Sequence, residues 1–96
     1  MHILPERFVK DPDDSLDYRW DFTAWLDGDT ITDKQIIIDD DSPAPVTASG
    51  LAGTDTTVTV TLAAGTLGTS VPVTCRITTA QGRIKDATPI FDIRVR

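Results

Sequence analysis

The chain has 96 residues, a quarter of them charged, with 15 acids against 9 bases for a net charge of −6. That length suits one domain with a single modest core and not two. Asp outnumbers Glu by 14 to 1, and Thr, Ile and Val together make 31 residues, a composition that favours pleated strands and turns and excludes a helical bundle, a coiled coil or a disordered acidic tail.

In chain order, residues 1–7 read as a flexible N-terminal arm, and Phe8-Val9-Lys10 as a short strand. The segment Asp11-Pro12-Asp13-Asp14 is a turn, because proline presets φ and Asp carboxylates accept local N–H bonds. Leu16, Tyr18, Trp20 and Phe22 then alternate with Asp17, Arg19 and Asp21, predicting a strand with one aromatic and one charged face. Thr23-Ala24-Trp25-Leu26 breaks the alternation and predicts a tight turn, followed by the loop Asp27-Gly28-Asp29. Ile31 and residues 35–39 form the next extended stretch, with Ile36 and Ile38 on one face and Ile37 on the other. An apolar residue on both faces of a strand is either an ordinary exposed side chain or a contact with a partner. The run from Asp39 to Pro45, with three acids and two prolines, cannot be a central strand and predicts an exposed loop.

The second half is more regular. Val46–Ser49 is a weak strand, Thr56–Leu62 alternates with Val58, Val60 and Leu62 inward, and Ala63–Gly68 is a glycine-punctuated turn. Val71, Val73, Cys75 and Ile77 alternate again, Thr79–Gly82 is a hairpin loop, and the last strand points Phe91, Ile93 and Val95 inward. A four-residue loop would pair Thr78 with Arg83 and set Pro72 opposite Pro89. Ile84 and Ile90 lie on even positions whereas Phe91, Ile93 and Val95 lie on odd ones, so the inward parity flips, which predicts a β-bulge near Pro89. The count is about seven short antiparallel strands in one domain spanning 1–96. An immunoglobulin-like β-sandwich is the leading architecture, and a small β-barrel the alternative.

No apolar run approaches the ~20 residues of a membrane helix, so no membrane partner is expected. Met1–Glu6 lacks a basic start and an apolar core, so no secretory signal is expected and synthesis is assigned to the cytoplasm. Cys75 stands alone, so stability must come from packing. An acidic chain is a poor partner for nucleic acid. The charge is segregated, with a net −9 over residues 1–55 and +3 over 56–96. This is either a solvated acidic loop region beside a mildly basic sheet, or the basis of salt-sensitive head-to-tail packing between copies.

The catalytic inventory is thin. His2 is the single histidine, at the chain start; Cys75 falls on an inward face with no base to activate it; and Gly65–Gly68 lacks the lysine and helix of a phosphate loop. No cofactor is expected. No metal is expected: Asp11 and Asp13, Asp27 and Asp29, and Asp39 and Asp41 are only weak candidates for Ca²⁺ if their loops meet at one end, none has EF-hand spacing, and turn formation and solubility are the favoured explanation. Trp20 is in phase with the core, whereas Trp25 is either partial core or a sugar-stacking platform. Trp25, Ile37, Asp40, Pro43 and Pro45 are the candidate partner-contact residues.

One ordered series carries more. Phe8-Val9-Lys10-Asp11-Pro12, Leu16-Asp17-Tyr18, Trp20-Asp21-Phe22, Trp25-Leu26, Asp29-Thr30-Ile31 and Thr78-Thr79-Ala80-Gln81-Gly82-Arg83 span nearly the whole chain. Together they resemble small tailed-bacteriophage virion proteins of the fibre–tail adaptor type, which read F-K-D-P, L-D-Y, D-W, W-L, D-T-I and T-T-x-x-G-R in that order. Phe22 stands where the family usually shows a second Trp, and the Asp39–Pro45 segment is a local elaboration. The resemblance implies a non-enzymatic, multi-copy virion component that contacts tail or fibre proteins. Capsid decoration and head-to-tail connection are alternative sites for such a protein. A carbohydrate- or Ca²⁺-binding module for host recognition is an alternative of another class.

Overall fold

The computed structural model describes residues 7–95, and these form eight strands and one helical turn. The strands are β1 (Arg7–Lys10), β2 (Leu16–Asp21), β3 (Ile31–Ile38), β4 (Thr47–Gly53), β5 (Thr57–Ala63), β6 (Ser70–Thr79), β7 (Ile84–Ala87) and β8 (Ile90–Ile93); α1 (Thr23–Leu26) lies between β2 and β3. One sheet runs β1-β8-β6-β3, with β7 also on β6, and the other runs β2-β5-β4. Both sheets have free edges, so the fold is an open sandwich and not the alternative small barrel. All pairings are antiparallel except β1 with β8, which is parallel. The arm expected over residues 1–7 lies outside the described residues except for Arg7. That residue opens β1 and pairs its guanidinium with Asp92 at 2.7 Å.

The period-2 patterns explain the core. Tyr18 and Trp20 on β2, Val58, Val60 and Leu62 on β5, Val71, Val73, Cys75 and Ile77 on β6, and Phe91 and Ile93 on β8 are buried between the sheets. Phe8 stacks on Phe91 with ring centroids 5.3 Å apart, and Tyr18 meets both edge-on at 5.6 and 5.0 Å. This aromatic cluster fastens the short parallel β1 to the second sheet. Lys10 is fully buried beside it, donating from Nζ to the carbonyls of Ala64 and Asp11 at 2.6 and 2.9 Å. Burial lowers the Lys10 pKa, against the opposing pull of Asp14, Asp11 and Asp13.

The last hairpin corrects three expectations. Thr78 pairs with Ile84 and not Arg83, and Pro72 faces Ile90 and not Pro89. From Cys75–Ala87 to Pro72–Ile90 the chain advances three residues on each strand, so β7 and β8 share one register along β6. The ladder lapses at Thr88–Pro89, where Val73 N–H donates to the Pro89 carbonyl and Pro89 has no N–H to return. It is a gap in one interrupted strand, without a bulge or a change of parity. The expected flip presumed an inward Ile84. Ile84 is instead exposed, because Lys85 and Ala87 take the inward positions. Leu16 and Val95, expected inward, are also exposed, because each lies at or beyond the end of its strand. β4 is longer than the predicted weak strand, and every residue in it is exposed.

Strand directions define two loop ends on a body of 40 × 20 × 18 Å. The β1–β2, β3–β4 and β5–β6 connections and residues 94–95 gather at one end, with Asp11, Asp13, Asp14, Asp39, Asp40 and Asp41. Helix α1 and the β4–β5 and β6–β7 connections gather at the other, with Trp25. The halves of the sequence therefore interleave: β2 pairs β5, β3 pairs β6 and β1 pairs β8.

Candidate protein–protein interface

The strongest polar constellation sits at the tryptophan end. Helix α1 closes at Asp27 in the left-handed region (φ 48), and the chain turns back so that Asp29 N–H donates to the Leu26 carbonyl. This buries the Asp29 carboxylate, whose side chain is 1% exposed, under the β6–β7 loop. It accepts bonds from the Thr79 hydroxyl, the Thr30 N–H, the Arg83 guanidinium and the Gln81 N–H, which together hold its pKa below the usual carboxylate value. Arg83 donates to Asp29 from Nε and Nη2, both at 3.1 Å, and from Nη2 to the Leu26 carbonyl at 2.8 Å. Its guanidinium lies 4.4 Å from the centre of the Trp25 ring, with the Lys85 ammonium 5.8 Å away. The fragments Trp25-Leu26, Asp29-Thr30 and Thr79 to Arg83 are thus one device. It locks α1 to the hairpin loop.

Sequence reasoning listed these fragments without seeing that they meet. The available signal was the buried-acid requirement. An Asp closing a loop, with Thr and Arg in another predicted loop, is the inventory for a satisfied buried carboxylate. Trp25 is half-buried against the core and covered by Arg83, so its ring is not an open stacking platform.

The other predicted contact residues lie elsewhere. Ile37 is half-buried on the outer face of the larger sheet, opposite Thr74, whose hydroxyl meets that of Thr88 at 2.9 Å. The Pro72–Ile90 pair extends this flat face, and Arg76 clasps Asp86 through two bonds of 2.8 and 2.9 Å beside it. Pro43 and Pro45 are exposed at the acidic end, beyond β3. Asp40 is committed to its own loop, accepting from the Ser42 hydroxyl and from the N–H groups of Val46 and Ser42. Burial raises its pKa, and those bonds outweigh it to give a net lowering. Ile37 and the 39–45 loop are therefore neighbours, and Trp25 is at the opposite end.

The aspartate groups do not converge. Asp11, Asp13, Asp39 and Asp41 are at one end, and Asp27 and Asp29 at the other. Among the described residues no three His, Cys, Asp or Glu side chains come together to hold a metal. Asp11 instead caps the N–H of Asp13 at 2.9 Å, and Asp29 holds Arg83. Cys75 is buried, and desolvation, then the Asp86 charge, pushes its thiol up to about 12. Between β3 and β4 a cleft of about 370 Å³ is lined by Lys34, Gln35 and Ile36 on one side and Ala48, Ser49, Gly50 and Leu51 on the other, with Val60 at its floor.

No curated protein matches the chain. One family does, over residues 10–91, a span from the end of β1 through the Asp29–Arg83 lock to Phe91 in β8. The chain belongs to the family described as podophage GP4 fiber-tail adaptor protein gp77.

Proposed function

We propose that this adaptor is an immunoglobulin-like connector that joins tail and fibre proteins by surface contact, in several copies per particle and without catalysis. The family match carries the reading, since it runs through nearly every element of the sandwich. The strand pairing supports the immunoglobulin-like part. The second, fifth and fourth strands share one sheet, the third, sixth and last share the other, and the first lies parallel on the last. The absence of catalysis is supported by chemistry already committed elsewhere: Cys75 is buried with its thiol raised to about 12, and Asp29 is consumed by the loop lock. A sugar-binding role loses its platform where Arg83 covers Trp25.

The test is electron microscopy of intact particles with the chain fitted into density. Density for several copies at the joint between tail and fibres is the expected result. Copies spread over the capsid lattice, or confined between head and tail, would replace this reading with decoration or head-to-tail connection.

A further inference from the structure

We infer that the free edge of β3 accepts an extended strand from another virion protein, and that the incoming strand carries an acidic side chain to meet Lys34. The inference rests on the adaptor reading only for the source of that strand. The edge itself follows from backbone geometry. Asp39 N–H donates across the ladder to the Pro72 carbonyl at 3.3 Å. Antiparallel residues alternate in the direction of their polar groups, so Ile37, Gln35 and Asp33 also turn theirs towards β6. The N–H and C=O groups of Lys34, Ile36 and Ile38 turn the other way. β6 is the only strand paired with β3 among the described residues. The first part of this edge is already engaged: Ile31 N–H donates to the Asp55 carbonyl at 2.8 Å and Lys34 N–H to the Asp33 carboxylate at 2.9 Å, which leaves the N–H groups of Ile36 and Ile38 for an added strand.

The side chains fit an added strand. Ile36 and Ile38 pack on the core from the inner face, and Ile37 lies on the outer face, so an apolar neighbour is available on both sides of the pleat. Such an uncovered β-branched edge is what proteins usually guard with charge, proline or a covering loop. Here it opens onto the cleft between β3 and β4, where alternate side chains of an incoming strand find Ile36, Leu51 and Val60. Backbone bonds then supply affinity and the cleft supplies selectivity. Lys34 is the one charged residue lining this cleft, and it makes no ion pair among the described residues. It fits an acid on the incoming segment.

A second copy fits less well in the register that sets Ile36 opposite itself. Two-fold antiparallel pairing of two β3 strands centred on Ile36 would set Asp33 of one copy opposite Asp39 of the other, with Asp40 and Asp41 following. Like charges directly opposite are destabilising.

The experiment is amide hydrogen exchange on the full chain, resolved to single residues by fragmentation, first free in dilute solution and then within purified particles. The expected result is at least tenfold slower exchange at Ile36 and Ile38 in the particle. Lys34→Glu should leave the free chain's exchange pattern unchanged while cutting its copies per particle several-fold. Unchanged exchange at these amides in particles that do contain the chain overturns the inference and leaves the adaptor reading standing. Absence of the chain from particles overturns both. Slowing that appears in the free chain and grows with its concentration identifies a second copy as the strand donor, and overturns the proposal of a different protein.

Discussion

Gly65 closes the core at the acidic end, and replacing it tests how the two sheets meet. Its φ is +112°, and a Cβ built on it would lie 3.0 and 3.2 Å from Ile93 Cδ1 and Cγ1 and 3.1 Å from Val46 Cγ2. Val46 leads into β4 and Ile93 ends β8, so the two crowded side chains belong to opposite sheets. Gly65→Ala therefore carries backbone strain of about 1–3 kcal/mol and overpacking of about 1–3 kcal/mol. Lost unfolded-state freedom returns about 0.4–1 kcal/mol. The net is a destabilisation of about 1–6 kcal/mol, centred on about 3, and that centre is equivalent to a fall in Tm of roughly 12–24 °C for a chain of this size.

A control lies three residues away. Gly68 has φ +88° with nothing within 4 Å of the built Cβ. Gly68→Ala meets the backbone penalty alone, and the net is about 1 kcal/mol. Urea unfolding of both variants, with m-values matching the parent, measures the difference. Agreement of the two variants within about 0.5 kcal/mol would falsify the argument. It would mean that the 64–69 loop yields and that Gly65 does not set the spacing between the sheets.

Three further outcomes follow from the site chemistry. Arg83→Ala removes the guanidinium from Asp29, the Leu26 carbonyl and Trp25, and should lower Tm by roughly 5–10 °C, with Arg83→Lys intermediate; an unchanged melt would show that the lock contributes nothing. Asp29, Asp86 and Asp92 have folded-state pKa values below the ordinary 3.8, from bonds with Thr79, Arg76 and Arg7 respectively before any other partner. Their contribution is complete above the unfolded value and is lost as pH falls through the folded ones, so thermal melts should hold steady from pH 7 to about 5 and drop below about 4. A Tm that falls equally between pH 7 and 5 contradicts this. Cys75, buried with its thiol raised to about 12, should resist iodoacetamide at pH 8 in the folded chain and react fully in denaturant; mass spectrometry reads both, and rapid labelling of the folded chain would contradict its burial.

The parts of the fold legible in the sequence were those that alternate over several residues. β2, β5 and β6 announce their faces because each buries one side of its pleat against the other sheet. β4 has no such signature: all seven of its residues are exposed, so burial imposed no pattern on it. The expected bulge failed for a related reason. Ile84 was read inward by its hydrophobicity, whereas the inward place belongs to Lys85, whose ammonium reaches Trp25. The Asp29–Arg83 lock was hidden because its members are 54 positions apart and a pleat period says nothing about loops that meet across the ends of two sheets. Ile37 stood out because three consecutive isoleucines cannot all face one side, and it lies half-buried on the outer face of β3.

The charge distribution changes meaning in three dimensions. A split of −9 and +3 along the chain suggests a molecule with an acidic pole and a basic pole. Strand pairing removes that polarity, because the acidic half supplies β1, β2, β3 and β4, and each sheet mixes strands from both halves. Two of the ion pairs among the described residues, Arg7–Asp92 and Arg83–Asp29, bind one half to the other. What remains at the acidic end is the six aspartates of the 11–14 and 39–41 loops against the exposed Arg94, with Lys10 buried beneath them. The tryptophan end has Asp27 and Asp55 beside its Arg83 and Lys85, so it is no basic counterpart. Salt-sensitive head-to-tail stacking of copies therefore has an acidic surface without a matching basic one. The same acidity disfavours pairing of identical β3 edges in the register centred on Ile36. In an adaptor, the strand-accepting edge inferred for β3 would direct association towards a different protein.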